Sequence, residues 1–180
     1  ADGADNPTVI SAAGTLNAGL YAISLGSAWM IANAGRVLGP GMTLIGPGTV
    51  TNTGSIGGSV AGPTGHGILL SAGGSVTNQA GGTITGYNAI SGGAAMTVVN
   101  AGTIAGVHDA VDAAAGFANQ VVIDAGAVFV GVVDGGNTIG SAAVSTLELA
   151  SGASTGTLTG LGTQFVDFAQ TTIDAGAAWR

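Results

Sequence analysis

The sequence predicts an all-β chain: a single-domain parallel β-helix, or β-solenoid, of about eight coils of roughly 20–26 residues each. Three observations predict it. One nonapeptide-like phrase recurs: "VVNAGTIAG" (Val98 to Gly106) returns as "VTNTGSIGG" from Val50, "VTNQAGGTITG" from Val76, "IANAGRVLG" from Ile31 and "VIDAGAVFVG" from Val122. A second phrase alternates with it at the same period. The composition joins 35 glycines to 46% hydrophobic residues, which disfavours helices, because glycine inside a helix costs about 1 kcal/mol relative to alanine. Glycine does not fall at every third position, which excludes collagen, and the aliphatic content with only 6% charged residues excludes disorder.

The elements follow in chain order. Residues 1–180 read as one solenoid domain, with "ADGADNP" (1–7) a short N-terminal extension or partial cap. The glycines of the first phrase, Gly14, Gly35, Gly54, Gly82, Gly102, Gly126, Gly152 and Gly176, are spaced 21, 19, 28, 20, 24, 26 and 24 apart. The second phrase runs through "LYAISL", "GHGILL", "YNAISG" and "HDAVDA", whose anchors Ile23, Ile68, Ile90 and Val111 lie 45, 22 and 21 apart, with "GMTLIG" around Ile45 filling the double gap. Each phrase is a short run with period-2 alternation bounded by glycine, as in Thr83-Ile84-Thr85 and the T-x-T-x-T of Thr155 to Thr159. Two or three such strands per turn, stacked at about 4.8 Å, give a rod roughly 38 Å long. Inward positions take Val, Ile, Leu and Ala, and corners take glycine for its positive φ. Asn33, Asn52, Asn78 and Asn100, continued by Asp124 and Asp174, are expected to stack in one column at a corner.

This pattern resembles the passenger domains of Gram-negative autotransporters, the adhesin-like β-helical proteins of cell surfaces. The residues that carry the resemblance are "SVTNQAGGTITG", "VVNAGTIAG" and "TLELASGASTGTLTGLGTQFVDFAQTTIDAGAAW" (Thr146 to Trp179), and it covers most of the chain from Val50 onward. It implies a secreted or cell-surface location and says little about activity, since adhesins, proteases, esterases and stalks share the scaffold. The chain lacks the C-terminal membrane barrel of such proteins, and its start at Ala1 suggests a processed or excised fragment.

Charge and chemistry narrow the function classes. Nine acidic residues face two arginines, Arg36 and Arg180, and no lysine, so a basic surface for nucleic acid or anionic membranes is not available. Cysteine is absent, and the apolar stretch Val121 to Val133 is too short to span a bilayer as a helix. The best polar constellation is "VHDAVD" with His108, Asp109 and Asp112; the repeat register aligns His66, Asn88 and Asp109 on adjacent coils. Read functionally it is a shallow polar surface site; read structurally it is a solvated corner. Without a neighbouring Lys or Arg to stabilise developing negative charge, lyase chemistry is poorly supported. "ASGAS" from Ala150 is no nucleophile elbow, and His66, His108 and Asp109 are a weak metal signal. The expectation is therefore no catalytic residue, no metal and no cofactor. Tyr21 and Tyr87 offer a sugar-stacking platform.

Two functions of different class remain. One is a secreted, non-enzymatic structural or adhesive module, with surface glycans or host and matrix surfaces as partners and no membrane insertion. The other is a subunit that stacks end to end on copies of itself, or on further coils of a longer parent chain, through Ile173 and an exposed Trp179. A polysaccharide-active β-helix enzyme is a distant third.

Overall fold

The structure, a computed structural model, describes residues 6–17, 23–25 and 28–180. Every regular element in them is a strand, and the chain winds as a parallel β-solenoid of about seven turns. Three faces run along it. Face A holds β1 (Thr8–Ile10), β4 (Trp29–Asn33), β7 (Gly48–Asn52), β10 (Gly74–Asn78), β12 (Met96–Asn100), β14 (Gln120–Ile123), β16 (Thr146–Leu149) and β18 (Gln170–Ile173), each paired in parallel with the next. Face B starts with β2 (Thr15–Asn17), β5 (Arg36–Leu38) and β8 (Ser55–Gly57). Face C starts with β3 (Ile23–Leu25), β6 (Met42–Leu44) and β9 (His66–Leu70). From the next coil onward B and C are joined in long strands, β11 (Thr83–Gly92), β13 (Thr103–Asp112) and β15 (Val128–Asp134), which turn the corner at a register shift. The last strand of face C is β17 (Phe165–Val166).

The core is three stacks of aliphatic side chains, one per face. Ile31, Val50, Val76, Val98, Val121 and Leu147 stack in register behind face A, all nearly sealed from solvent. Val37, Ile56, Ile84 and Ile104 do the same behind face B, with Phe129 next in line. Behind face C the column is Met42, Ile68, Ile90, Val111, Val133 and Phe165. Each such side chain contributes roughly 1.5–3 kcal/mol by burial. Face C holds one departure from expectation: Met42, not Ile45, bridges Ile23 and Ile68, and Ile45 is exposed, because period-2 alternation puts only one of them inward.

Two further expectations change. The glycine after the Asn-x pair serves close approach rather than positive φ in the middle of the rod. A Cβ on Gly54 would stand 2.1 Å from the Gly35 carbonyl oxygen, and one on Gly102 2.4 Å from that of Gly82. Those carbonyls accept the next coil's N–H groups, Ser55 to Gly35 and Thr103 to Gly82, both at 2.9 Å. Only toward the C-terminal end do Gly126 and Gly176 adopt positive φ. The T-x-T-x-T at Thr155 to Thr159 forms no strand, only an isolated bridge from Gly156 to Trp179. The expected partial cap (1–7) falls mostly outside the described residues. Of it, Asn6 bonds the next coil, accepting from the Met30 N–H and donating to the Ala28 carbonyl.

Candidate functional site

Two polar systems stand out, one inside the rod and one on face C. The inner one is an asparagine ladder. Asn33 Nδ2 donates to Asn52 Oδ1 at 2.7 Å, Asn52 to Asn78 and Asn78 to Asn100, each at 2.9 Å. All four are at most 2% exposed. Each amide also reaches backbone at the A–B corner: Asn78 Nδ2 donates to Gly82 O and Thr103 O, and Asn100 Oδ1 accepts from the Gly102 N–H. Every buried donor is thereby used, which is what burial of an amide demands.

Asp124 and Asp174 are not in this column. The residue in register with Asn100 is Ile123, followed by Leu149 and Ile173, and Ile10 occupies the position before Asn33. Asp124 and Asp174 come one residue later and are partly exposed; Asp174 accepts from the Ser151 N–H. An ionised carboxylate in the column would face buried carbonyls without a cation, so the chain places isoleucine there and turns the aspartate outward.

The face C system brings together all five residues singled out in the sequence. Asn88 is in register with both His66 and Asp109, as the repeat implies. One position group further on, Ser91, Asp112 and Asp134 are in register on successive coils. Asn88 Nδ2 donates to Asp112 Oδ2 at 3.0 Å, Ser91 Oγ lies 3.4 Å from the same oxygen, and Ser91 Oγ is 2.9 Å from His66 Nδ1. With Ser91 donating to Asp112, the His66 Nδ1–H donates to Ser91, and the chain of donors ends on one carboxylate. His108 Nδ1 pairs with Asp109 Oδ2 at 2.7 Å, and its ring stacks on Tyr87, centroids 5.7 Å apart and nearly parallel.

Titration follows from these surroundings. Burial pushes His66 below its ordinary value, partly offset by the Asp112 charge. The Asp109 hydrogen bond and charge raise His108. Burial raises Asp134, against a hydrogen bond from the Gly136 N–H, with Asp167, Asp112 and Asp109 adding repulsion.

Chemically, the cluster is a part-buried network held by its own hydrogen bonds rather than the solvated corner expected: Asn88 and Asp109 are each 8% exposed, while His108 stands out into solvent. Ser91 is 4% exposed and sits between histidine and aspartate, whereas an activated serine needs the histidine in the middle. Arg36 lies in β5 on face B and the Arg180 guanidinium donates to Thr157, so neither arginine belongs to the cluster. No three His, Asp or Glu side chains among the described residues converge as metal ligands. Tyr21, expected to form a sugar-stacking platform with Tyr87, lies outside the described residues.

Sequence reasoning passed over Ser91, whose only signal is its place three residues after Asn88 in "YNAIS". It also passed over the amides that pin two long loops of neighbouring coils. Asn119 donates to Ala114 O and Gly135 O, and Asn137 to Phe117 O and Ser145 Oγ. The end-contact candidates part company. Ile173 is 62% exposed, but Trp179 packs on the core and its indole N–H donates to Ala150 O at 3.0 Å, so it is not the exposed residue expected. Comparison with protein-family models, with curated proteins and with solved structures yields no match for this chain.

Proposed function

We propose that the chain is a secreted, non-enzymatic structural and adhesive β-solenoid module of a bacterial cell-surface or extracellular protein, of the autotransporter-passenger kind. The observation that carries this reading is the way buried polarity is used. The asparagine ladder and the loop-pinning amides tie coil to coil, and the face C side chains are spent on one another in the same way, with Asn88, Ser91 and Asp109 buried. A stack whose coils bond only to their neighbours is a stiff spacer whose length scales with coil number. Its long parallel sheets, in a chain with only 6% charged residues, suit contact with extended surfaces such as glycans or matrix. The location at the cell surface rests on the resemblance of its repeats to passenger domains.

The test is direct. Beads coated with the chain are offered glycan and matrix-protein arrays, and the soluble chain is assayed for release of reducing ends from a polysaccharide panel. Retention on an array with no hydrolysis supports the module. Hydrolysis that disappears in Asp112→Ala would replace it with the enzyme reading.

A further inference from the structure

We propose that Thr155 to Thr159 is a strap with two positions, open and closed against β15, and that the Gln164 side chain decides between them. In the position seen here the strap is laddered to one neighbour. Gly156 N–H donates to Ala178 O at 2.9 Å, Leu158 N–H to Arg180 O at 3.0 Å, and Gly156 O accepts from the Arg180 N–H. It is thus extended and bonded to the coil beyond it. On its other side lies β15, and there the ladder is missing. β15 pairs with β13 through Val128, Phe129 and Val130. Toward the following coil it pairs, among the described residues, only at Val133 and Asp134, with β17. Strap and strand instead line one cleft of about 190 Å³, with Val128 and Phe129 from β15, Thr157, Leu158 and Thr159 from the strap, and Gln164.

Gln164 occupies the place of the missing rung. Its Nε2 donates to Phe129 O at 3.0 Å and to Gly131 O at 3.2 Å. These carbonyls are two residues apart, and a parallel ladder fills such a pair with the N–H groups of two residues likewise two apart. Thr157 and Thr159 are those residues. Backbone groups alternate along an extended strand, so with Gly156 and Leu158 bonded to residues 178–180, Thr157 and Thr159 turn their N–H groups toward β15. The Thr157 N–H donates to no backbone group among the described residues. Closing the strap sets Thr157 opposite Val130. Both are already exposed and Leu158 already packs on the core, so no side chain reverses its facing. The exchange is like for like, two N–H donors replacing two N–H donors on the same carbonyls, so the two positions lie close in free energy. Gly160 and Gly162, both at positive φ, form the turn between strap and Gln164 and supply the hinge. The T-x-T-x-T period, a strand pattern left unpaired with β15, is what such a strap requires.

Residue-resolved amide hydrogen exchange on the full chain tests this. Gln164→Ala removes the competing donor and is expected to close the strap, slowing exchange at Thr157 and Thr159 by about tenfold or more relative to wild type. Gly156 and Leu158, bonded to residues 178–180 in both positions, are expected to keep their rates. Adding Thr157→Pro to Gln164→Ala takes away the N–H aimed at Phe129 O and is expected to return Thr159 to its wild-type rate. Gln164→Glu, which keeps the length of the side chain and replaces the donor with a carboxylate, serves in place of Gln164→Ala should that variant not fold. Exchange at Thr157 and Thr159 that stays at the wild-type rate or rises in the Gln164 variants overturns the proposal. So does protection of Thr159 that survives Thr157→Pro, which would place its cause elsewhere than on the edge of β15.

Discussion

Asn78 Nδ2 donates to Asn100 Oδ1 across 2.9 Å, and the two residues, 22 apart in sequence, occupy the same position on neighbouring coils. Both are fully buried. Asn78→Leu keeps the volume roughly constant and removes the amide. Gly82 O and Thr103 O then lose a donor, and the neighbouring amides lose a partner on either side. The expected loss is about 1–3 kcal/mol for a buried polar group left unpaired, read from the denaturant midpoint. Asn100→Leu follows the same rule. Asp124→Ala, outside the column, is expected to move the midpoint by no more than about 0.5 kcal/mol. Equal effects at Asn78 and Asp124 would mean that the ladder does not hold the coils.

That contrast also shows what the sequence made legible. The recurrence of glycine and the alternation around it are enough to read coils, faces and the inward aliphatics, because period and burial are tied by strand geometry. The slip at Asp124 arises because "VVNAG" and "VVIDAG" look alike when aligned on the glycine. Pairing instead aligns Val98 with Val121, which leaves one extra residue before the glycine and moves the aspartate out of the column. A one-residue slip reverses a side chain's facing, and apolar burial decides between the two registers. In the face C cluster the register of His66, Asn88 and Asp109 was legible from the repeat. The role of Ser91 was not, since it depends on which side chains meet across coils.

Glycine tolerance separates two explanations of the repeat. If Gly54 is needed because coils approach closely, Gly54→Ala drives a Cβ to within 2.1 Å of the Gly35 carbonyl oxygen and forces the coils apart. The expected cost is about 1–3 kcal/mol, as for overpacked cores. Gly62→Ala, whose Cβ would meet nothing within 4 Å, is the control, with little change in melting temperature expected.

The pH dependence has opposing parts. His66 has a folded value below its ordinary 6.5, so the unfolded chain binds its proton more readily. Its contribution therefore falls as pH drops below about 6.5, down to the lowered folded value. His66→Gln should flatten that decline in a melting-temperature profile. Asp134 lies above its ordinary 3.8, so the stability it contributes is present at acid pH and lost as pH rises through its folded value. Asp134→Asn should accordingly melt higher than wild type at pH 7, and the advantage should shrink toward pH 4. A wild-type-like profile from both variants would show that burial on face C does not perturb these groups.

Trp179 gives the last prediction, and it differs from what an exposed end residue would do. Its indole N–H donates to Ala150 O, its ring covers Gly156, and it packs against the core. The backbone around it is paired as well, Gly156 N–H to Ala178 O and Leu158 N–H to Arg180 O. Trp179→Lys therefore removes a packing element and leaves a carbonyl without its donor. The expected result is a loss of about 2–4 kcal/mol, toward the lower side of large-to-small core substitutions because the ring is only partly buried. Hydrogen exchange should show the loss as faster exchange at residues 150–158, while the amides of β10 and β12 stay protected. Trp179→Phe, which keeps the ring without its N–H, should recover most of the protection. If Trp179→Lys leaves exchange at residues 150–158 unchanged, the tryptophan does not clamp the last coil, and an exposed, contact-making role for it returns.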